Sequence, residues 1–370
     1  MSKWKEILLR DICTEISYGY TTSATNENTG VKFLRITDIV NTPFNWDSVP
    51  FCEISSKDEE KYKLYPGDIV IARTGATTGT TFTISDETKA VFASYLIRYK
   101  IDRKKASPSF IGHNLKSEYW KGYVENIIGG SAQPGANAQQ FADYELLLPT
   151  LPEQERIAEV LSSLDDKIDL LHRNNKTLEN LAEAIFRQWF VENVKEDWEE
   201  IKLGQLIVPK KGKNITKSEA IDGKYPVVAG GLDPSCYHNQ SNTKAPVITI
   251  SASGANAGFV KLYYNEVWSS DSSFIDETVT DWVYFFYVLL KLKQNQIFDK
   301  QEGSAQPHIY PSHIMDLEIH KHPKGLIEKF NQTVIPIFNK ISGNITQIEQ
   351  LETLRNTLLP KLMSGAVIVK

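Results

Sequence analysis

The chain has 370 residues, 41% of them hydrophobic and 24% charged, with a formal net charge of −5. That length leaves room for two domains, the composition is ordinary for a globular protein, and the slight acidity excludes a uniformly basic nucleic-acid binder while leaving a local groove open. Cys13, Cys52 and Cys236 are odd in number and widely spaced, which argues against a disulfide framework or a zinc site and for a reducing compartment.

Taken in order, the first stretch (residues 1–150) alternates short β runs with Gly, Asn, Thr and Pro turns. Strands are expected at 31–36, 69–72 and 90–99, and a helix at 108–124. No signal-peptide core opens the chain, and its longest apolar run, residues 282–290, is too short to span a bilayer; a cytoplasmic protein that does not enter a membrane is the expectation.

Residues 151–195 form the second stretch. Pro152 is placed to open a helix, and no Pro or Gly follows before residue 190. Apolar residues step by threes and fours through Ile157, Leu161, Leu164, Ile168, Leu171, Leu178, Ala182, Ile185 and Trp189, with Asn175 filling the one gap. Such a heptad seam predicts a long helix supercoiled against a partner, spanning roughly 48 Å from Ile157 to Trp189 at ~1.5 Å per residue. Residues 196–321 return to β runs and turns, with a strand expected at 247–250 and a helix at 281–298. Residues 322–370 carry a second seam through Ile327, Phe330, Val334, Ile337, Ile341, Asn344, Ile348, Leu351, Arg355, Leu358 and Leu362, where Pro336 is expected to kink or split the helix. Segment 151–200 has 6 basic and 13 acidic residues, a net of −7, and segment 321–370 has 7 basic and 3 acidic, a net of +4. Opposite charge favours pairing the two seams; two separate amphipathic helices on two cores is the alternative.

The chain also repeats itself. Trp4 to Leu9 resembles Trp198 to Leu203, and Asp68 to Ala76 resembles Val247 to Ala255, each of the latter runs closed by a glycine, Gly79 or Gly258. Gly130-Ser131-Ala132-Gln133-Pro134 matches Gly303-Ser304-Ala305-Gln306-Pro307 without a difference, and Lys167-Ile168 matches Lys340-Ile341. The offsets run 194, 179, 173 and 173 in order. The expected architecture is α+β: two repeated globular domains separated by two long antiparallel helices in an intramolecular coiled coil, with pseudo-twofold symmetry. Antiparallel pairing about the centre opposes Asn175 to Asn344 and Leu171 to Ile348.

Catalytic chemistry is hard to find. No dinucleotide fingerprint or P-loop is present, and Gly75 to Gly79 lacks the P-loop lysine. Ser131 and Ser304 have no acid or histidine at a suggestive spacing. His320-Lys321-His322 reads as a solvated linker, Asp165-Asp166 as a solvated helix face and Asp58-Glu59-Glu60 as a surface turn; no metal site is expected. What remains are two loop systems, present in each half. One holds Arg73, Thr74, Thr77 and Thr78, matched by Ser253 and Asn256; the other holds Ser131, Gln133 and Asn137, matched by Ser304, Gln306 and His308. These side-chain types read base edges and phosphates, although the repeated GSAQP turn also fits a purely structural role. Tyr20, Lys32, Arg35 and Lys63 in the first half, and Lys210, Lys211, Lys213 and Tyr237 in the second, are further basic and aromatic candidates.

The order domain, helix, domain, helix resembles the specificity subunit of type I restriction-modification systems over essentially the whole chain. The most specific parts are the GSAQP turn running into Leu151-Pro152-Glu153-Gln154 and the Lys167-Ile168 heptad; His322-Pro323-Lys324-Gly325 departs from that pattern in the second copy. The resemblance implies a non-catalytic subunit with target recognition domains at 1–150 and 196–321 and long conserved helices at 151–195 and 322–370. Each domain would read half of a bipartite, asymmetric site in double-stranded DNA. The helices would set the spacer and dock two methyltransferase subunits, with restriction/translocase subunits joining later. No cofactor is expected on this chain; S-adenosylmethionine, ATP and Mg are expected on the partner subunits. A helical scaffold joining two protein-binding domains, without DNA, is the alternative reading.

Overall fold

The computed structural model describes residues 4–40, 43–129, 135–195, 198–303, 306–367 and 369. The chain divides into two compact units, Met1–Arg173 with Gln347–Lys370, and Asn174–Thr346. Each unit therefore takes a share of both long helices along with its globular part.

In the first unit a four-stranded antiparallel sheet runs in the order Cys13–Tyr18, Leu96–Ile101, Asp68–Ala72, Thr81–Thr83. Asp68–Ala72 is buried along its whole length because both faces are covered. Alternation sends Ile69 and Ile71 to a core with Phe110, Trp120 and Phe141, while Val70 and Ala72 pack with Leu34, Phe92 and Leu96 on the opposite face. A parallel pair, Lys32–Leu34 with Ala90–Phe92, and an antiparallel pair, Lys5–Leu8 with Glu145–Leu148, complete the strands.

The second unit repeats this plan. Its four-stranded sheet runs Lys210–Lys211, Ser272–Ile275, Val247–Ser251, Val260–Tyr263, in the same topological order. Tyr225–Val228 pairs parallel with Trp268–Ser269, and Glu200–Lys202 pairs antiparallel with Glu318–His320. Val247–Ser251 is again fully buried, with Ile248 and Ile250 facing the main core and Val247 the smaller one.

Several expected elements divide. The run 90–99 is two strands in two sheets, broken at a turn where Leu96 N–H donates to Ala93 O at 2.9 Å. The stretch 108–124 is two helices, Pro108–Asn114 and Glu118–Ile128, because Ser117 caps the second by accepting from Trp120 N–H. The stretch 281–298 likewise becomes Val283–Leu292 and Gln294–Phe298. Asp58-Glu59-Glu60 lies not in a turn but in the helix Ser56–Tyr62, capped by Ser55, with acids where its N-terminal dipole favours them.

The two long helices are Leu151–Arg187, prolonged by a π-helical turn Gln188–Glu192, and Lys324–Met363. Pro336 does not split the second of these. It sits on the exposed side, where the carbonyl it leaves without an N–H partner faces water. The helices pair antiparallel within each unit. In the first, Ile168 and Leu171 pack with Ile348 and Leu351, and Asp165 accepts from Arg355 at 2.9 Å. In the second, Ala182 and Phe186 join Phe330, Val334 and Phe338 in the main core. The seams are more than a two-stranded zipper, since Phe186 and Phe338 widen the stripe onto the globular part and Tyr284 stacks on Phe338 at 4.5 Å.

The asparagine pair sits where the stepping places it. Asn344 Nδ2 donates to Asn175 Oδ1 at 2.7 Å, and Asn344, 1% exposed, keeps a buried Oδ1 without a hydrogen-bond partner. A buried unsatisfied acceptor costs about 1–3 kcal/mol, while a polar pair in a seam fixes register. Replacing both residues by leucine is expected to raise the urea midpoint, through a stability gain of about 1–3 kcal/mol; an unchanged or lowered midpoint would show that the pair stabilises rather than merely specifies.

Candidate nucleic-acid interface

Both units build the same loop frame at the end of the sheet's central strand. In the first, the chain leaves Asp68–Ala72 through Gly75 and returns at Gly79, at φ of 81° and 87°, a region open to glycine. Gly79 N–H donates to Ala72 O at 2.8 Å, and Arg73 N–H donates to Tyr95 O at 3.0 Å. A bridge ties Thr74 to Gly135, and Ala136 N–H donates to Arg73 O at 3.0 Å. In the second unit, Gly254 and Gly258 have φ of 81° and 86°, Gly258 N–H donates to Ser251 O at 2.7 Å and Ala252 N–H to Asp271 O at 3.1 Å. Ser253 bridges His308, and Ile309 N–H donates to Ala252 O at 2.9 Å. The backbone frame is thus duplicated bond for bond.

A further correspondence flanks each loop. A Cβ on Gly19 would lie 2.2 Å from Ala93 O, and one on Gly212 2.4 Å from Ser270 O; both are backbone atoms that cannot swing aside. Tyr20 N–H donates to Phe92 O at 2.8 Å, and Lys213 N–H to Ser269 O at 2.9 Å. Tyr18-Gly19-Tyr20 and Lys211-Gly212-Lys213 are therefore the same device, a strand end pressed against its neighbour, carrying different side chains.

Around the first loop, the Arg73 guanidinium lies over the Tyr18 ring at 5.1 Å, and Tyr18 Oη accepts from Ala138 N–H at 3.0 Å. Tyr95 is 59% exposed beside it. Thr78 Oγ1 donates to Gly75 O at 2.7 Å, and Thr77 O accepts from Thr80 N–H at 3.0 Å, so both threonines help to close the loop. Around the second loop, Ser253 Oγ donates to the Asp271 carboxylate, Asn256 Nδ2 to Gly230 O at 3.5 Å, and His308 stacks on Tyr310 at 6.2 Å between centroids. Gln306 is exposed, and its carbonyl faces His308 Nδ1 at 2.8 Å. Lys211 and Lys213 are exposed. Lys210 donates to Thr278 Oγ1 at 2.6 Å. Tyr237, 53% exposed, lies on the separate strand Cys236–His238.

Other candidates are engaged elsewhere. Lys32 donates to Val49 O at 2.7 Å and covers the Phe51 ring at 4.0 Å, which makes it a clamp between loops rather than a free cation. Arg35 forks onto Asp38 at 2.8 and 3.1 Å, capping the helix Ile36–Ile39. Lys63 lies over Tyr65 at 5.0 Å. Asn137 caps the helix Ala138–Ala142, accepting from Gln140 N–H at 2.9 Å. Its counterpart is Tyr310, which precedes the helix Pro311–Met315, and not His308, which corresponds to Gly135. Ser131, Gln133 and Ser304 lie outside the described residues.

Two polar clusters away from the loops went unrecognised in the sequence. Asp165 is no solvated carboxylate: Arg355 and Lys116 hold it at 2.9 and 3.6 Å, and His113 Nε2 shares a 3.0 Å hydrogen bond with Ser162 Oγ. Burial would raise the Asp165 carboxyl, but Lys116 and Arg355 hold it below the usual carboxylate range. Ser162, His113 and Asp165 outline a catalytic triad, but His113 Nδ1 is 3.8 Å from Asp165, too far for the orienting hydrogen bond that such chemistry needs. Nor is His322 in a solvated linker; it packs on Phe190 and Trp198 at 4.7 and 4.9 Å, and His320 belongs to a strand. These histidines border a cleft of about 700 Å³ with Phe186, Phe190 and Lys293, and none of the loop residues lines it. Burial pushes the Cys13 and Cys52 thiols up to about 12 and 11, away from thiolate chemistry. No group of metal-ligating side chains, and no helix long and apolar enough to cross a membrane, occurs among the described residues.

The model of the type I restriction modification DNA specificity domain matches residues 1–180 and 195–347. The type I restriction enzyme MjaIX specificity subunit of Methanocaldococcus jannaschii is 25% identical over 303 residues, covering 70% of this chain and 69% of its own. A putative type I specificity subunit of Mycoplasma genitalium is 25% identical over 278 residues, covering 71% and 72%. In fold, the chain is similar to the crystal structure of a type I restriction-modification system S subunit from M. genitalium, with a TM-score of 0.62 at 18% identity over 98% of this chain and 96% of that one.

Proposed function

We propose that this chain, which belongs to the type I restriction modification DNA specificity family, is a non-catalytic subunit whose two units each read one half of an asymmetric, bipartite site in double-stranded DNA. The observation that carries the reading is the duplicated loop frame with unlike side chains. A frame repeated bond for bond needs one geometry twice, and side chains that diverge on it suit two different half-site sequences. The long helices set the unread gap and dock two methyltransferase subunits. S-adenosylmethionine, ATP and Mg belong to the methyltransferase and restriction/translocase partners.

Co-expression with methyltransferase subunits, followed by single-molecule methylation sequencing of host DNA, tests this. The expected result is a split motif with two unlike halves and a fixed gap. A stable complex that methylates nothing would instead favour a scaffold without DNA. Lengthening both long helices by matched turns is expected to lengthen the gap while leaving both half-sites intact, and a gap that stays constant would remove the helices from spacer selection.

A further inference from the structure

Chemically opposite groups stand on the duplicated frame. Arg73 is fixed by the Tyr18 ring beneath its guanidinium, and Tyr18 is itself pinned by the Ala138 N–H. Arg73 has no carboxylate within ion-pair distance and no side-chain hydrogen bond among the described residues, and its Nε is buried without a partner. Ala252 occupies the corresponding position of the second unit, so that loop has no such cation. There Asp271, which takes the place of Tyr95, stands at the loop with one carboxylate oxygen satisfied by Ser253 Oγ and with no Lys, Arg or His within 4 Å among the described residues. The first loop therefore offers a rigid donor fork and the second a fixed acceptor.

Resting on the proposed DNA reading, we infer that Arg73 reads a guanine in the first unit's half-site and that Asp271 reads an exocyclic amino group, on cytosine or adenine, in the second unit's half-site. A flat guanidinium held in place matches the paired O6 and N7 acceptors of guanine, which no other base presents in the major groove. A carboxylate only accepts, so it selects a base edge with an N–H donor and rejects the O6 of guanine and O4 of thymine. An arginine serving only a phosphate would carry no base information, so its loss would weaken binding about evenly over all sequences, whereas loss of a guanine reader relaxes one position.

The test uses the full complex with its methyltransferase subunits. Methylation sequencing of the wild type first defines both half-sites, and absence of any split motif would sink the underlying DNA reading itself. Arg73→Gln, Arg73→Ala and Asp271→Ala are then compared by competition binding against duplexes substituted one base at a time. For wild type, replacing the guanine should weaken binding by roughly 5–150-fold. In both Arg73 variants that penalty should shrink to about threefold or less at a single position, with the other half-site unaltered. Asp271→Ala should relax one position in the opposite half. Arg73→Ala keeping full guanine discrimination, an Arg73→Gln loss spread evenly over all sequences, or substitutions at Arg73 and Asp271 altering the same half would overturn the assignment. Co-purification of the variants with the methyltransferase subunits at wild-type yield separates these outcomes from misfolding; the better-folded of the two Arg73 variants decides.

Discussion

Replacing Arg98 by alanine is expected to destabilise the first unit by about 3–5 kcal/mol, the usual cost of removing one partner from a buried charged network. Arg98 lies on the strand Leu96–Ile101 and is 1% exposed. It donates to Glu15 Oε1 at 2.6 Å, Lys63 O at 2.7 Å, Ser17 Oγ at 3.1 Å and Lys61 O at 3.3 Å, and it covers the Phe92 ring at 5.0 Å. One side chain thus joins two strands to the last turn of the helix Ser56–Tyr62 and to the residue that follows it. Burial alone would raise the Glu15 carboxyl, but hydrogen bonds from Arg98, Ser17 and Lys100 hold it below its ordinary range. Alanine would leave two backbone carbonyls without their donor and open a cavity where the guanidinium packs. Lysine keeps the charge but lacks the planar fork, so Arg98→Lys should recover only part of the loss. Urea unfolding followed by a probe in the first unit reads the effect. A midpoint shift equivalent to less than about 1 kcal/mol would reduce the network to the worth of a surface ion pair.

Nothing in the sequence marks Arg98 as buried. It falls between Ile97 and Tyr99 in an apolar run, where alternation sends it to the face opposite its neighbours, and only the tertiary position of Lys61 and Lys63 supplies its acceptors. The long helices were legible because their information is local: a stepping of three and four, and one polar gap in each seam, suffice to oppose Asn175 and Asn344. The duplication was legible wherever both copies keep similar residues, as at Asp68–Ala72 and Val247–Ser251. It was not legible at Tyr18-Gly19-Tyr20 and Lys211-Gly212-Lys213, which share only the glycine. The signal that could have found that match is the Trp4/Trp198 offset of 194 carried forward with one deletion, which brings Gly19 onto Gly212. Asp165 and His322 were misread for a different reason. A charged residue on a long helix and a histidine beside a proline are solvated unless another segment covers them, and the covering segments here lie about 190 and 130 residues away in sequence.

Lowering the pH from 7 to 5 is expected to weaken both units, each through one buried histidine. Burial, with Lys116 and Arg355 adding to it and Asp165 opposing, pushes His113 down to about 4. Burial, with His320 adding to it, does the same to His322. An unfolded histidine titrates near 6.5. Between about 6.5 and 4 the unfolded chain therefore binds protons that the folded chain does not, so stability falls as pH falls through that window and is flat above it. A tenfold difference in proton affinity between the folded and unfolded chain is worth about 1.4 kcal/mol, so the loss by pH 5 is on the order of 1–2 kcal/mol for each histidine, smaller at His322, whose ring borders the open cleft. Asp165 acts at lower pH still: its depressed carboxyl contributes stability that is lost only as pH falls below the unfolded aspartate value. His322→Phe is the informative variant. The ring site is aromatic, His322 Nδ1 has no partner to lose, and phenylalanine cannot titrate. It should leave the urea midpoint of the second unit close to wild type at pH 7 and raise it relative to wild type at pH 5. In the first unit, His113→Gln keeps a group able to bond Ser162 and should flatten the same window. Wild-type midpoints that do not move between pH 7 and pH 5 would mean that both rings accept their proton inside the folded protein, and that the aromatic cage around His322 opens to water without unfolding.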